Sequence, residues 1–389
     1  MANNKNQMVN FQKEKKKATT KKVVRAFRIP IAILIVIAIC LIAFLAKGET
    51  GRSNFTDSFK AIPATLGENP GYPYSGSDLS LQKLMAVGDK PMLISESSVR
   101  VLSQDAAELQ EIYPDWADTR AYSQNGRAVL YSNTSNKAFL ISRTGVLAKF
   151  NEDDIITTAT VANNGGVALS VAASKVQSVV KVYSDTQKEL FRWNCSKDYV
   201  SSLSLSPNGK KLVVSALGVS NAEIYSRVLL FDTRKTDAVF EAKLPGTTVL
   251  KVVYASNNRF VAIGDNRTVV FDKKGNKIGE KEYDANALFA VDSDNNGNTL
   301  VCYNELGGTK INVVTITSSG KIKEFELEYA PSAIDMKGNQ IAAALDNTVT
   351  VYSTTGKEKN KYECANNVST VLITSTGIFT LESGTVCKY

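Results

Sequence analysis

One unit recurs eight times between Leu84 and Tyr389: a short apolar strand, a tight turn rich in Gly and Asn, then two or three more short strands. The first turn of each unit falls at Gly88-Asp89, Asn125-Gly126, Asn164-Gly165, Asn208-Gly209, Asn257-Asn258, Asn296-Gly297, Gly338-Asn339 and Thr376-Gly377. Successive turns lie about 40 residues apart, the length of one four-stranded β-propeller blade. The expectation is an all-β chain, a propeller of eight blades with seven as the alternative. An open solenoid is the competing architecture, but its repeats are usually shorter and need caps.

The second half of the unit is equally regular, as in AFLISRTGVLAKF (138–150) and TVVFDKKGNKIGEK (268–281). Alternating Val, Ile, Phe and Tyr put one face of each strand against the next blade. Gly145, Gly275, Gly320 and Gly356 are expected to supply the positive φ of the hairpin turn. The eighth unit stops after its third strand, at Tyr389. Its open edge calls for a fourth strand, and 72–75 (YPYS), ahead of the first complete unit, is the candidate.

Charge is confined to one end. Residues 1–28 hold nine bases and one acid; removing them from the 46 bases and 38 acids of the chain leaves 37 of each. The net charge of +8 therefore belongs to a tail, and no basic face is left for nucleic acid. Ile29–Ala46 follows, eighteen uncharged residues with seven isoleucines. At 1.5 Å per residue it spans roughly 27 Å, enough for a bilayer core of about 30 Å, and it has no polar face. It is expected to be a transmembrane helix in contact with the lipid bilayer. The one-sided bases place the tail in the cytoplasm and the rest outside. A cleaved signal peptide is the rival, disfavoured by Phe44 at the −3 position. Residues 47–70 are polar and broken by Gly and Pro, as a stalk would be, leaving 71–389 for the propeller. Cys364 and Cys387 lie in neighbouring repeats, and reduced buried thiols are the default reading for both.

Leu205–Val213 (LSPNGKKLV) resembles the first hairpin of WD-repeat-like propellers, including the periplasmic propeller of the Tol system. Phe231-Asp232 and Phe271-Asp272 stand where WD repeats carry Trp-Asp. The chain departs from that pattern in having no histidine for the buried tetrad. With its tail, span and stalk it also resembles an uncharacterised family of bacterial membrane-anchored propeller proteins, most closely over 71–103 and 200–220. That resemblance implies fold and topology, and brings no catalytic residues.

The lack of histidine removes Ser-His-Asp and Cys-His nucleophiles and His-ligated metals. No phosphate-binding or dinucleotide fingerprint occurs, no cofactor is expected, and two tryptophans are too few for a quinoprotein. Asp292, Asp294 and Asn296 match the start of a calcium loop, but position twelve is Tyr303 where a bidentate Glu is needed. Turn chemistry explains the match better.

The remaining expectation is recognition. The longest stretches between second and third strands are 216–227 (ALGVSNAEIYSR), 171–178 and 304–310, all read as loops on one face. Trp116, Arg120, Tyr199, Tyr225 and Arg227 are the candidate partner contacts there, since exposed aromatics and Arg anchor protein interfaces. Filling gaps between blades is the competing role for Trp116 and Tyr225. The favoured function is a non-enzymatic, extracytoplasmic scaffold that binds an envelope protein. A carboxylate-based glycan enzyme, needing two carboxyls about 5–10 Å apart, and a ligand sensor are the alternatives.

Overall fold

The computed structural model describes residues 35, 57, 60, 61, 70–76 and 83–389, except 257, 285, 286, 295, 306 and 307. Residues 57–389 form one compact unit. Ile29–Ala46, apart from Ile35, lies outside the described residues, as does the basic tail. Among the described residues no helix is long and apolar enough to cross a membrane.

Among the described residues, thirty-one strands form eight antiparallel sheets, one per repeat. The blades cover 83–112, 120–151, 156–195, 199–245, 249–282, 288–327, 333–363 and 368–388. Eight blades are thus present, and the seven-bladed alternative falls. Each inter-blade seam is filled by its own apolar cluster, the last joining Leu84, Leu93 and Leu102 of blade 1 to Leu372, Phe379 and Leu381 of blade 8. The alternating pattern of each strand feeds two seams at once, so every blade depends on both neighbours.

The eighth sheet has only three strands, β29 (Val368–Thr374), β30 (Gly377–Glu382) and β31 (Thr385–Lys388). Tyr74 completes it: its N–H donates to Val386 O at 2.8 Å and its carbonyl accepts from Val386 N–H at 2.9 Å. Tyr72 fixes the approach, with its ring edge-on to Phe379 at 5.1 Å and its hydroxyl donating to Ser103 O at 3.0 Å. On the turn face, Lys337 of blade 7 pairs with Asp89 of blade 1, across blade 8.

First-hairpin turns follow the sequence reading, with positive φ at Gly88, Asn125, Gly126, Gly165, Gly209, Gly297, Gly338 and Gly377. Second-hairpin turns follow it at Gly275, Gly320 and Gly356 but not at Gly145. The blade 2 turn is one residue shorter: Ile141 pairs with Val146, whereas Phe271 pairs with Lys277. Ser142 N–H closes it onto Gly145 O at 2.9 Å, without a left-handed residue.

That turn also receives Asp57, from the stretch expected to be a free stalk. Asp57 is buried, and its carboxylate accepts from Ser142 Oγ at 2.8 Å and Thr144 Oγ1 at 3.0 Å while pairing with Arg127 Nη1 at 3.2 Å. Arg127 is among the largest fully buried side chains. Breaking a buried pair of this kind by removing one partner costs about 3–5 kcal/mol. Asp57 thus belongs to the same compact unit as the blades.

Candidate functional site

Blade 4 departs most from the common repeat. Its middle strands β14 (Lys211–Ser220) and β15 (Glu223–Asp232) run ten residues each, and its inner strand β13 (Tyr199–Leu205) reaches only to the level of Leu217. The stretch 216–227 is thus a hairpin and not a loop. Its two-residue turn is Asn221-Ala222, with φ of 53° and 63°. Cross-strand partners Val219 and Ile224 at the tip are 68% and 48% exposed. Tyr199 and Leu250 add exposed apolar surface on the same rim, where inner strands begin.

A buried carboxylate braces the hairpin. Asp198 accepts from Tyr225 Oη at 2.9 Å and pairs with Arg227 Nη1 at 2.6 Å. Arg227 also forks Glu241, at 2.7 Å through Nε and 2.8 Å through Nη2. Glu241, and then Asp198, hold the Arg227 pKa above its ordinary value against the effect of burial. Lys243 Nζ stands 3.8 Å from the centre of the Tyr225 ring, a cation–π contact. Gly218 makes this closeness possible, since a Cβ there would lie 2.3 Å from Asp198 Oδ1. Asp198 and Glu241 both pair with Arg227, which ties β15 to the outer strand and to Asp198 and so positions the hairpin.

Of the candidate contacts, Tyr225 and Arg227 meet on Asp198, next to Tyr199. Trp116 and Arg120 lie apart, at the junction of blades 1 and 2. Trp116 packs on Phe139 with ring centres 4.7 Å apart and belongs to the seam between those blades, so it fills a gap. Arg120 is exposed and pairs with Asp118 at 3.3 Å. Asp198, Glu241, Val219 and Ile224 were missed by sequence reasoning. An Asn-Ala turn lacks the Gly that marks a hairpin, because Ala in the left-handed region costs roughly 1–2 kcal/mol.

The inner strands enclose a second feature, a central cavity of about 500 Å³. Asp292 of β21 (Leu288–Ser293) and Asp335 of β25 (Ala333–Lys337) line it in hydrogen-bond contact with each other. Asp292 Oδ2 accepts from Met336 N–H at 2.8 Å and Asp335 Oδ2 from Ile373 N–H at 2.6 Å, each reaching the following blade. Burial, reinforced by the Asp292 charge, raises the Asp335 pKa well above the carboxylate range.

Asp294 accepts from Asn296 N–H at 2.9 Å, Asn298 N–H at 2.8 Å, Asn298 Nδ2 at 2.7 Å and Gly338 N–H at 2.7 Å. Its oxygens serve the turn, and Asn296 is exposed beside it. Among the described residues no group of three or more Cys, Asp or Glu is placed to hold a metal ion. Cys364 and Cys387 are free thiols, and burial, then Glu382, pushes Cys387 up to about 11.

Solved structures with the same ring share little sequence with it. BamB from Moraxella catarrhalis superposes with a TM-score of 0.52 at 11% identity, over 81% of this chain and 98% of its own. Saccharomyces cerevisiae Sqt1 does so with 0.56 at 11% identity, over 82% and 97%. At such identity the likeness establishes the fold alone. None of the curated proteins matches the chain in sequence. The pattern defining DUF5711, a family of unknown function, matches residues 74–385, from the closing strand to the last, and the chain belongs to that family.

Proposed function

We propose that this chain is a non-enzymatic binding scaffold, anchored in the membrane by Ile29–Ala46 and holding its propeller outside the cytoplasm to engage an envelope protein. The blade 4 hairpin carries the proposal. It projects past its own inner strand, bears Val219 and Ile224 to solvent, and is stiffened by the Asp198–Arg227–Glu241 cluster. A rigid apolar tip ringed by paired charges has the composition of an interface core and its polar rim. The topology rests on the uncharged span and the nine bases before it. The absence of histidine from the sequence favours recognition over chemistry.

The test replaces Val219 and Ile224 together by Asp. Exposed positions tolerate the change, so the melting temperature should stay within about 2 °C of wild type. Co-purification of the envelope partner from crosslinked cells should be lost. Retention of the partner by the double variant would refute the assignment of this tip.

A further inference from the structure

The central cavity, at about 500 Å³, falls within the roughly 300–1,000 Å³ typical of small-molecule sites. Met85, Ile334 and Leu372 give it apolar wall. Its polar inventory is unbalanced. The acceptors are occupied: Asp292 and Asp335 bond to each other and to backbone N–H groups of the next blade, and Asp294 is held by its turn. The donors are not. Lys83, at the start of β1 (Lys83–Val87), and Lys251, in β17 (Val249–Ser256), both line the cavity. Neither has a hydrogen-bond or ion-pair partner among the described residues.

Lys83 is exposed and can hydrate; Lys251 is drawn further in, and burial lowers its pKa despite the Asp292 charge, with Lys83 adding repulsion. An ammonium group offers three donors and no acceptor, so whatever satisfies this pair must bring acceptors and negative charge. The lining contains no arginine fork, and a phosphate would find two point charges where it usually finds a converging set of donors. The walls suit an apolar body behind a single anionic end.

We propose that the central cavity binds a small organic carboxylate, its anionic end between Lys251 and Lys83 and its apolar body against Met85, Ile334 and Leu372. This site is separate from the blade 4 rim, and neither depends on the other.

Calorimetric titration of the full-length chain in nanodiscs tests it, with three probes: phenylacetate, phenethylamine of opposite charge, and inorganic phosphate. Phenylacetate should bind saturably, and the other two should not. Lys251→Met should weaken binding by roughly tenfold or more, the worth of one charged hydrogen bond. Lys83→Met sits at the exposed mouth, leaves folding intact, and should weaken binding in the same direction; it decides the matter if Lys251→Met does not fold. Failure of wild type to bind phenylacetate, preference for the amine, equal binding of phosphate, or unchanged affinity in folded lysine variants would each overturn the proposal.

Discussion

Inner strands of neighbouring blades share no sheet ladder, and short polar side chains bridge them instead. Ser202 and Ser204 of blade 4 accept from Val252 and Tyr254 N–H at 3.0 and 2.9 Å, as Asp292 and Asp335 do further round the ring. The aspartates differ from the serines in carrying charge. Because the folded-state pKa of Asp335 is raised above its unfolded value, its contribution to stability is complete below the unfolded pKa and is lost as pH rises through the folded one. Asp335→Asn keeps the acceptor for Ile373 and removes the titration. Thermal melts should therefore show the variant gaining on wild type as pH rises above about 4, the unfolded carboxyl value, and exceeding it by a few degrees near about pH 9. A constant offset across that range would mean that Asp335 does not titrate as described. Nothing in the sequence singled out this residue, since a lone Asp in AIDMK breaks no pattern. Asp57 was equally hidden in a polar segment, and only the docked structure joins it to Arg127. Trp116 was visible with two readings, interface anchor or gap filler, because exposure cannot be read from a residue type that both seams and interfaces favour; its packing on Phe139 fits the second.

Elements were far more readable than residues. First-hairpin turns announce themselves through Gly and Asn, which reach positive φ cheaply, and that chemistry set the blade count. The missing fourth strand of the last repeat pointed to its replacement, because an open edge demands a partner. The blade 4 hairpin went unseen for the converse reason: its turn uses residues that give no such signal. Pairing at the outer edge of the last strand should then hang on few contacts, chiefly two backbone bonds at Tyr74 and the Tyr72 ring. Replacing Tyr72 and Tyr74 by Gly should raise amide exchange at 385–388 by at least tenfold while blades 3 to 5 keep their protection, since local opening reports local contacts. Equal acceleration in all blades would show that the seam is not a separable unit.

Taken whole, the molecule combines an eight-bladed ring with a sequence that places all of its excess charge before one apolar span. The fold was legible because eight repeats vote together on the same period, whereas a binding surface is a single occurrence with no repeat to average over. Blade 4 is where the middle strands outgrow those of the other blades, and such a departure from a repeated pattern is where function is best sought. Where the ring sits relative to the membrane is the claim on which the scaffold reading rests. A membrane-impermeant maleimide on intact cells tests it most directly, comparing Lys359→Cys on an exposed outer strand of blade 7 with Lys17→Cys in the basic tail. The account predicts labelling at position 359 without lysis and at position 17 only after it. Labelling of position 17 alone in intact cells would contradict it.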